Sequence, residues 1–153
     1  MKFNPLVVAL ALLIATPLIA QEDRQPLPPS TQPTDGQGVV KADDEAGLKA
    51  AIGKEINIDG IVEKAEWSRS GKVMNIEFKD SVLLGAVFER DSKALNEAFN
   101  GDFAKAITGA KVRIKSKLEN YGGKDKKLEG RPQVIIKKVY QVTVLEPATS
   151  QPS

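Results

Sequence analysis

The 153-residue chain contains no cysteine and no histidine. Without cysteine there is no disulfide, no thiolate nucleophile and no lipid-bearing cysteine, so stability has to come from packing. Without histidine the commonest general base and the commonest metal ligand are both missing, which weighs against most hydrolase and zinc chemistry. Aromatic residues are scarce at 5%, with one Trp, two Tyr and five Phe, lean for a surface that stacks on flat ligands. Proline occurs nine times in the chain but never between residues 34 and 131. That gap marks the part of the chain able to run uninterrupted strands. Neither the phosphate-cradling GxxxxGKS/T pattern nor the dinucleotide GxGxxG pattern occurs.

What is present divides the chain into four parts. Residues 1–20, MKFNPLVVALALLIATPLIA, join Lys2 to an apolar run over 6–14, break at Thr16 and Pro17, and end in small residues. This is the pattern of a secretory signal peptide, with cleavage expected after Ala20. The run over 6–19 is shorter than the roughly 20 residues a spanning helix needs, so no transmembrane segment is expected after cleavage. A periplasmic or secreted protein follows. Residues 21–41 hold Pro26, Pro28, Pro29 and Pro33 among Gln, Ser, Thr and Gly, and read as a disordered linker with polyproline II stretches. Residues 42–147 read as one folded domain, expected to be monomeric, and 148–153 as a disordered tail. About 105 residues suffice to bury about two thirds of the surface of the unfolded chain.

Within the domain, Asp43 or Asp44 can cap a short helix running to about Ile52, with Gly53 just past its end. Residues 55–67 read as a long strand, in which Ile56 and Ile58 alternate with Asn57 and Asp59 and Gly60 predicts a bend. Strands are also expected over 72–78 and over 82–88, the latter apolar on both sides. Residues 91–107 change to helical spacing, with a break near Asn100-Gly101. Residues 110–121 return to strict alternation, Val112, Ile114, Ser116 and Leu118 against Lys111, Arg113, Lys115 and Lys117. A fifth strand is expected over 133–144, kinked at Lys137-Lys138. This order predicts a mostly β protein: an OB-fold, a five-stranded Greek-key barrel with a helix between strands three and four and a short N-terminal helix.

The segments GKEINIDGIVEKAEWSRSGKVMNIEF, GAVF, AKVRIKSKLENY and GRPQVII, across about 45–145, also resemble a known family. They are similar to OB domains of the tRNA anticodon-binding type, in the form found on small exported bacterial proteins. The DGIV bend and the GRPQVII entry into the last strand carry the likeness most closely, while GGKDKKLEG is longer and richer in lysine than the turn usual there. The resemblance implies a ligand lying across strands two and three, flanked by the loops at 68–72 and 121–131.

Charge is uneven along the domain. Residues 42–110 carry nine Lys and Arg against thirteen Asp and Glu, whereas residues 111–138 carry ten against three. Cations that track phosphates beside rings that stack on bases are what single-stranded nucleic acid requires. The candidate ligand-binding residues are therefore Trp67, Arg69 and Lys72 in one loop and Tyr121, Lys124, Lys126, Lys127 and Arg131 in the other. Lysine-rich tips also serve solubility and discourage edge pairing, and Trp67 at a strand end suits a core plug equally well. Phe78 and Phe88, among apolar neighbours, are expected in the core.

No catalytic constellation emerges. Asp43-Asp44-Glu45 is what capping and the helix dipole favour at a helix start, without a metal. Glu63, Glu66, Glu77 and Glu89 have no spacing that singles out an acid–base pair. The expected function is an exported binding module, not an enzyme, without metal or cofactor, holding single-stranded nucleic acid or another anionic polymer through two basic loops. The alternatives are a structural or interaction domain that holds an envelope protein, and an oligosaccharide binder.

Overall fold

A computed structural model describes residues 38–149. The expected signal peptide, most of the linker and the last residues of the tail lie outside the described residues. Among the described residues no helix is long and apolar enough to cross a membrane.

The segment assigned by composition to the linker ends in a strand, β1 (Val39–Lys41). It pairs in parallel with β2 (Glu55–Trp67), Val40 opposite Ile58, so residues 39–41 belong to the sheet. Between them lies α1 (Glu45–Ala51). Asp44 is its cap, its side chain accepting from Gly47 N–H at 2.9 Å, which satisfies one donor that the first helical turn leaves open. The buried Leu48 and Ala51 fix α1 to the core.

Besides β1, β2 serves two further partners. Residues 55–61 run antiparallel to β5 (Lys111–Asn120), and residues 62–67 run antiparallel to β3 (Val73–Phe78), with a bulge between Val62 and Lys64. The changeover falls between Ile61 and Val62; just before it, at Gly60, a Cβ would stand 2.5 Å from the Ala42 Cβ and 3.0 Å from Phe78 Cδ1. The glycine predicted to bend this strand is a point of close approach to Ala42, just past β1, and to Phe78 of the core, two residues before the bulge.

β3 continues antiparallel into β4 (Leu84–Phe88), β4 lies parallel to β6 (Pro132–Ile135), and β6 runs antiparallel to β5, which returns to β2. The five strands β2-β3-β4-β6-β5 therefore close on themselves, and this connectivity is the OB-fold. Between β4 and β5 stand α2 (Glu89–Ala98) and α3 (Phe103–Ile107). Asn100 and Gly101, both with positive φ, break them apart as expected. Leu95, Phe103 and Ile107 from these helices join Ile58, Val62, Ile76, Ile114, Leu118 and Val134 in one core.

The expected fifth strand is two strands. β6 ends at Ile135, a 3-10 turn spans Val139–Gln141, and β7 (Val142–Glu146) then pairs with β5. The cause is the side chain of Gln141. Its Oε1 accepts from Lys137 N–H and Lys138 N–H at 2.8 and 2.9 Å, and its Nε2 donates to Lys115 O and Ile135 O at 3.3 and 3.2 Å. Backbone groups that a continuous strand would have paired are satisfied locally instead.

Candidate functional site

The loop at 68–72 is a tight connection. Ser68 N–H donates to Val73 O at 2.7 Å, Gly71 N–H donates to Ser68 O at 2.8 Å, and Ser68 Oγ accepts from Val73 N–H at 3.3 Å. Arg69 and Lys72 project from it, exposed. Trp67, at its base, is 40% exposed and lies opposite Met74, a core residue. Register therefore turns Trp67 to the inward side of the sheet, at the barrel's open end.

The loop at 121–131 has its own internal structure. Its neck closes where Tyr121 N–H donates to Arg131 O at 2.8 Å. Asp125 Oδ1 accepts from Lys127 N–H at 3.0 Å and caps a 3-10 turn over Lys126–Leu128. Lys124, Lys126 and Lys127 are exposed, whereas Tyr121 and Arg131 are half-buried. The Tyr121 ring folds back over Gly123 so closely that a side chain there would collide with it. Arg131 Nε donates to Val82 O at 2.9 Å, which ties the loop to the turn before β4 and commits one of its donors to the fold.

These bonds locate the two loops. Lys72 O accepts from Glu89 N–H, and Val73 pairs with Phe88, at the C-terminal end of β4. Arg131 meets Val82, and Gln133 pairs with Leu84, at the N-terminal end. The loops flank β4 about 13 Å apart along the strand, at ~3.3 Å per residue. They do not converge on one point.

Between them, the side of the sheet turned away from Met74 and Ile76 carries Leu84, Ala86 and Phe88 from β4 and Gln133 and Ile135 from β6, of which Leu84 and Ala86 are buried and the other three half-buried. Phe78 is buried as expected, but Phe88 is not a core residue. It is half-buried on the outward face opposite Val73, with the Arg90 guanidinium carbon 5.5 Å from its ring centroid. Sequence reasoning missed it because β4 is apolar on both sides and has no polar alternation to betray its outward row. Beside β4, the outward face of β3 carries Asn75 and Glu77, with Glu66 and Lys64 across from them on β2. Lys64 lies across from Glu77 and is bonded to Glu66 at 2.9 Å, and that bond, then the charge of Glu66, raises its pKa. One amine thus answers two carboxylates on this part of the surface.

The basic row on β5 has a different fate. Lys111 meets Glu146 at 2.8 Å, Lys115 meets Glu55 at 3.9 Å, and Lys117 meets Glu119 at 3.7 Å. Arg113 holds Asp59 with two bonds, Nε to Oδ1 at 2.6 Å and Nη2 to Oδ2 at 2.7 Å, and this bonding raises its pKa further. Three of these ion pairs link β5 to a neighbouring strand, and the Lys117–Glu119 pair lies within β5. By contrast, among the described residues Arg69, Lys72, Lys124, Lys126 and Lys127 form no ion pair. Asp59→Ala is expected to destabilise the domain by about 1–3 kcal/mol, because the Arg113 and Asp59 side chains are only 28% and 18% exposed and their bonds are charge-assisted. Urea denaturation measures it.

Among the described residues, no cluster of acidic side chains is able to hold a metal ion. No family model matches the chain, and no curated protein matches it by sequence. Solved structures do resemble it. A chain assigned as an aspartyl-tRNA synthetase from Leishmania major Friedlin superposes with a TM-score of 0.53 at 14% identity, covering 83% of this chain and 24% of that one. An aspartyl-tRNA synthetase from Entamoeba histolytica gives 0.52 at 13% identity, over 99% of this chain and 30% of that one. An OB domain from Methanosarcina mazei, solved by NMR, gives 0.42 at 14% identity over 78% of this chain. At these identities the likeness is one of fold, and this chain spans less than a third of either synthetase.

Proposed function

We propose that this protein is an exported OB-fold binding module, without catalytic activity, whose ligand is single-stranded nucleic acid or another polyanion. One observation carries the reading. The cations of β5 are matched by carboxylates, whereas five cations in the two loops that flank β4 are unmatched among the described residues. Unmatched exposed cations at both ends of β4 attract a polyanion and release its counterions. The fold shared with part of the synthetases supports the nucleic-acid choice by analogy alone.

A titration of the chain with a fluorescently labelled single-stranded DNA, followed by anisotropy, tests it, with an uncharged oligosaccharide as the comparison ligand. Binding of the DNA alone is expected. Binding of the sugar alone, with a change in Trp67 fluorescence, would replace the reading by the oligosaccharide one. Export is tested separately. Intact mass of the protein recovered from the periplasm or medium should correspond to a chain beginning at Gln21.

A further inference from the structure

Beyond the loops assigned so far, the structure places a second group of cations and rings at the C-terminal end of β4. Ile135 pairs with Ala86, and Ile136 N–H donates to Ala86 O at 2.9 Å. The ladder ends at that pair, and the exposed Lys137 follows two residues further on, as Phe88 does on β4, so it leaves the sheet at the Phe88 end. Lys72 approaches from the other side, where its carbonyl holds Glu89 N–H at 3.0 Å. The 3-10 turn over Val139–Gln141 packs against α2 and presents Tyr140, which at 77% exposure is the most open of the large hydrophobic side chains. Val139 anchors this turn to the core, and four hydrogen bonds from the Gln141 side chain fix its path. Tyr140 is thus a ring held out in water on a rigid support.

We propose that Phe88, Arg90, Lys137, Lys138 and Tyr140, with Lys72, form a stacking subsite for the bases of single-stranded nucleic acid, continuing the path that begins at the loop 121–131. This rests on the function proposed above and extends it. Arg90 covers Phe88 at 5.5 Å, a cation–aromatic pair on which a base can stack. Lys137 and Lys138 have no ion pair among the described residues. The acidic neighbours are Glu89 and Asp91 in the first turn of α2, Asp91 lying 3.4 Å from Arg90 Nε. Four cations therefore stand against two carboxylates. Rings select bases over a plain polyanion, because inorganic polyphosphate supplies charge without a flat face.

The test is photo-crosslinking of the full chain to a bromouracil-substituted oligodeoxynucleotide, with the adduct located by mass spectrometry, alongside the affinity of Tyr140→Ala and Tyr140→Phe. An adduct on Tyr140 or Phe88 is expected. Tyr140→Ala should weaken binding about fivefold to a hundredfold, the equivalent of one lost stack, and Tyr140→Phe should restore it. The exposed position makes loss of folding no concern. If the wild type binds but crosslinks only near Tyr121, or Tyr140→Ala binds as wild type, or polyphosphate competes equally with and without Tyr140, the subsite is wrong while the polyanion reading stands. If the wild type does not bind the oligonucleotide at all, both fall.

Discussion

Combining Lys124→Ala, Lys126→Ala and Lys127→Ala is expected to flatten the salt dependence of single-stranded DNA binding by about 2 in log–log slope, at roughly 0.7 per lost phosphate contact. If all five unmatched loop cations engage phosphates, affinity falls about a hundredfold between about 50 and 200 mM salt, and the triple variant falls less than tenfold. The three side chains are exposed, and the turn that carries them is capped by Asp125 through the backbone N–H of Lys127, so alanine leaves the loop intact. Lys115→Ala with Lys117→Ala is the matching control. Both amines already face carboxylates, Glu55 and Glu119, and their removal is expected to change the slope little. An equal effect from the two sets would mean that net charge, not the loops, governs binding.

Phe103→Ala is expected to destabilise the domain by about 3–5 kcal/mol. Its ring is 1% exposed and meets Phe99 edge-on, centroids 5.0 Å apart and planes 69° apart. Its backbone N–H donates to Asn96 Oδ1 at 3.0 Å, which holds α3 against the end of α2. Truncation removes the packing between the helices and the barrel and leaves a cavity that neighbouring strands are too constrained to fill. Against a typical stability of about 5–15 kcal/mol, a loss of this size is a third or more of the total for all but the most stable domains. Urea denaturation should show a lower midpoint with unchanged slope. A loss under about 1 kcal/mol would mean that the helices do not seal the core as described.

The parts of this fold legible in the sequence are those governed by near neighbours. The cap at Asp44 depends on a contact three residues away and the alternation of β5 on a period of two, while Gly60 marks a close approach, where no Cβ fits, next to the changeover in β2. The obscure parts depend on register between distant segments. Arg113 and Asp59 are 54 residues apart and Lys111 and Glu146 are 35 apart, so one sequence shows the basic row but not the carboxylates that match it. The excess of positive charge over 111–138 therefore overstates what is free to bind. Phe88 escaped for a related reason. In a strand apolar on both sides, only its partner Val73 tells which row faces out. The break between β6 and β7 falls at the kink expected at Lys137-Lys138, but its full extent was masked by the β-forming residues around it, because the path there is held by a single glutamine side chain. The loops themselves were placed correctly, but sequence alone does not show that they stand at opposite ends of β4.

These separations change how the site is pictured. A ligand gripped at a point would need the loops to meet; a chain laid along β4 and β6 needs only that they bracket it. The arrangement suits a flexible anionic polymer several units long and gives little purchase to a single small anion.

The salt dependence of single-stranded DNA affinity, measured on the wild-type chain by anisotropy from about 50 to 200 mM salt, tests this picture most directly. The predicted result is a linear log–log plot with a slope between about −2 and −3.5, corresponding to three to five contacts at roughly 0.7 each. Absence of binding at the lowest salt, or an affinity indifferent to salt, would contradict it and make the lysine-rich loop a solvated tip.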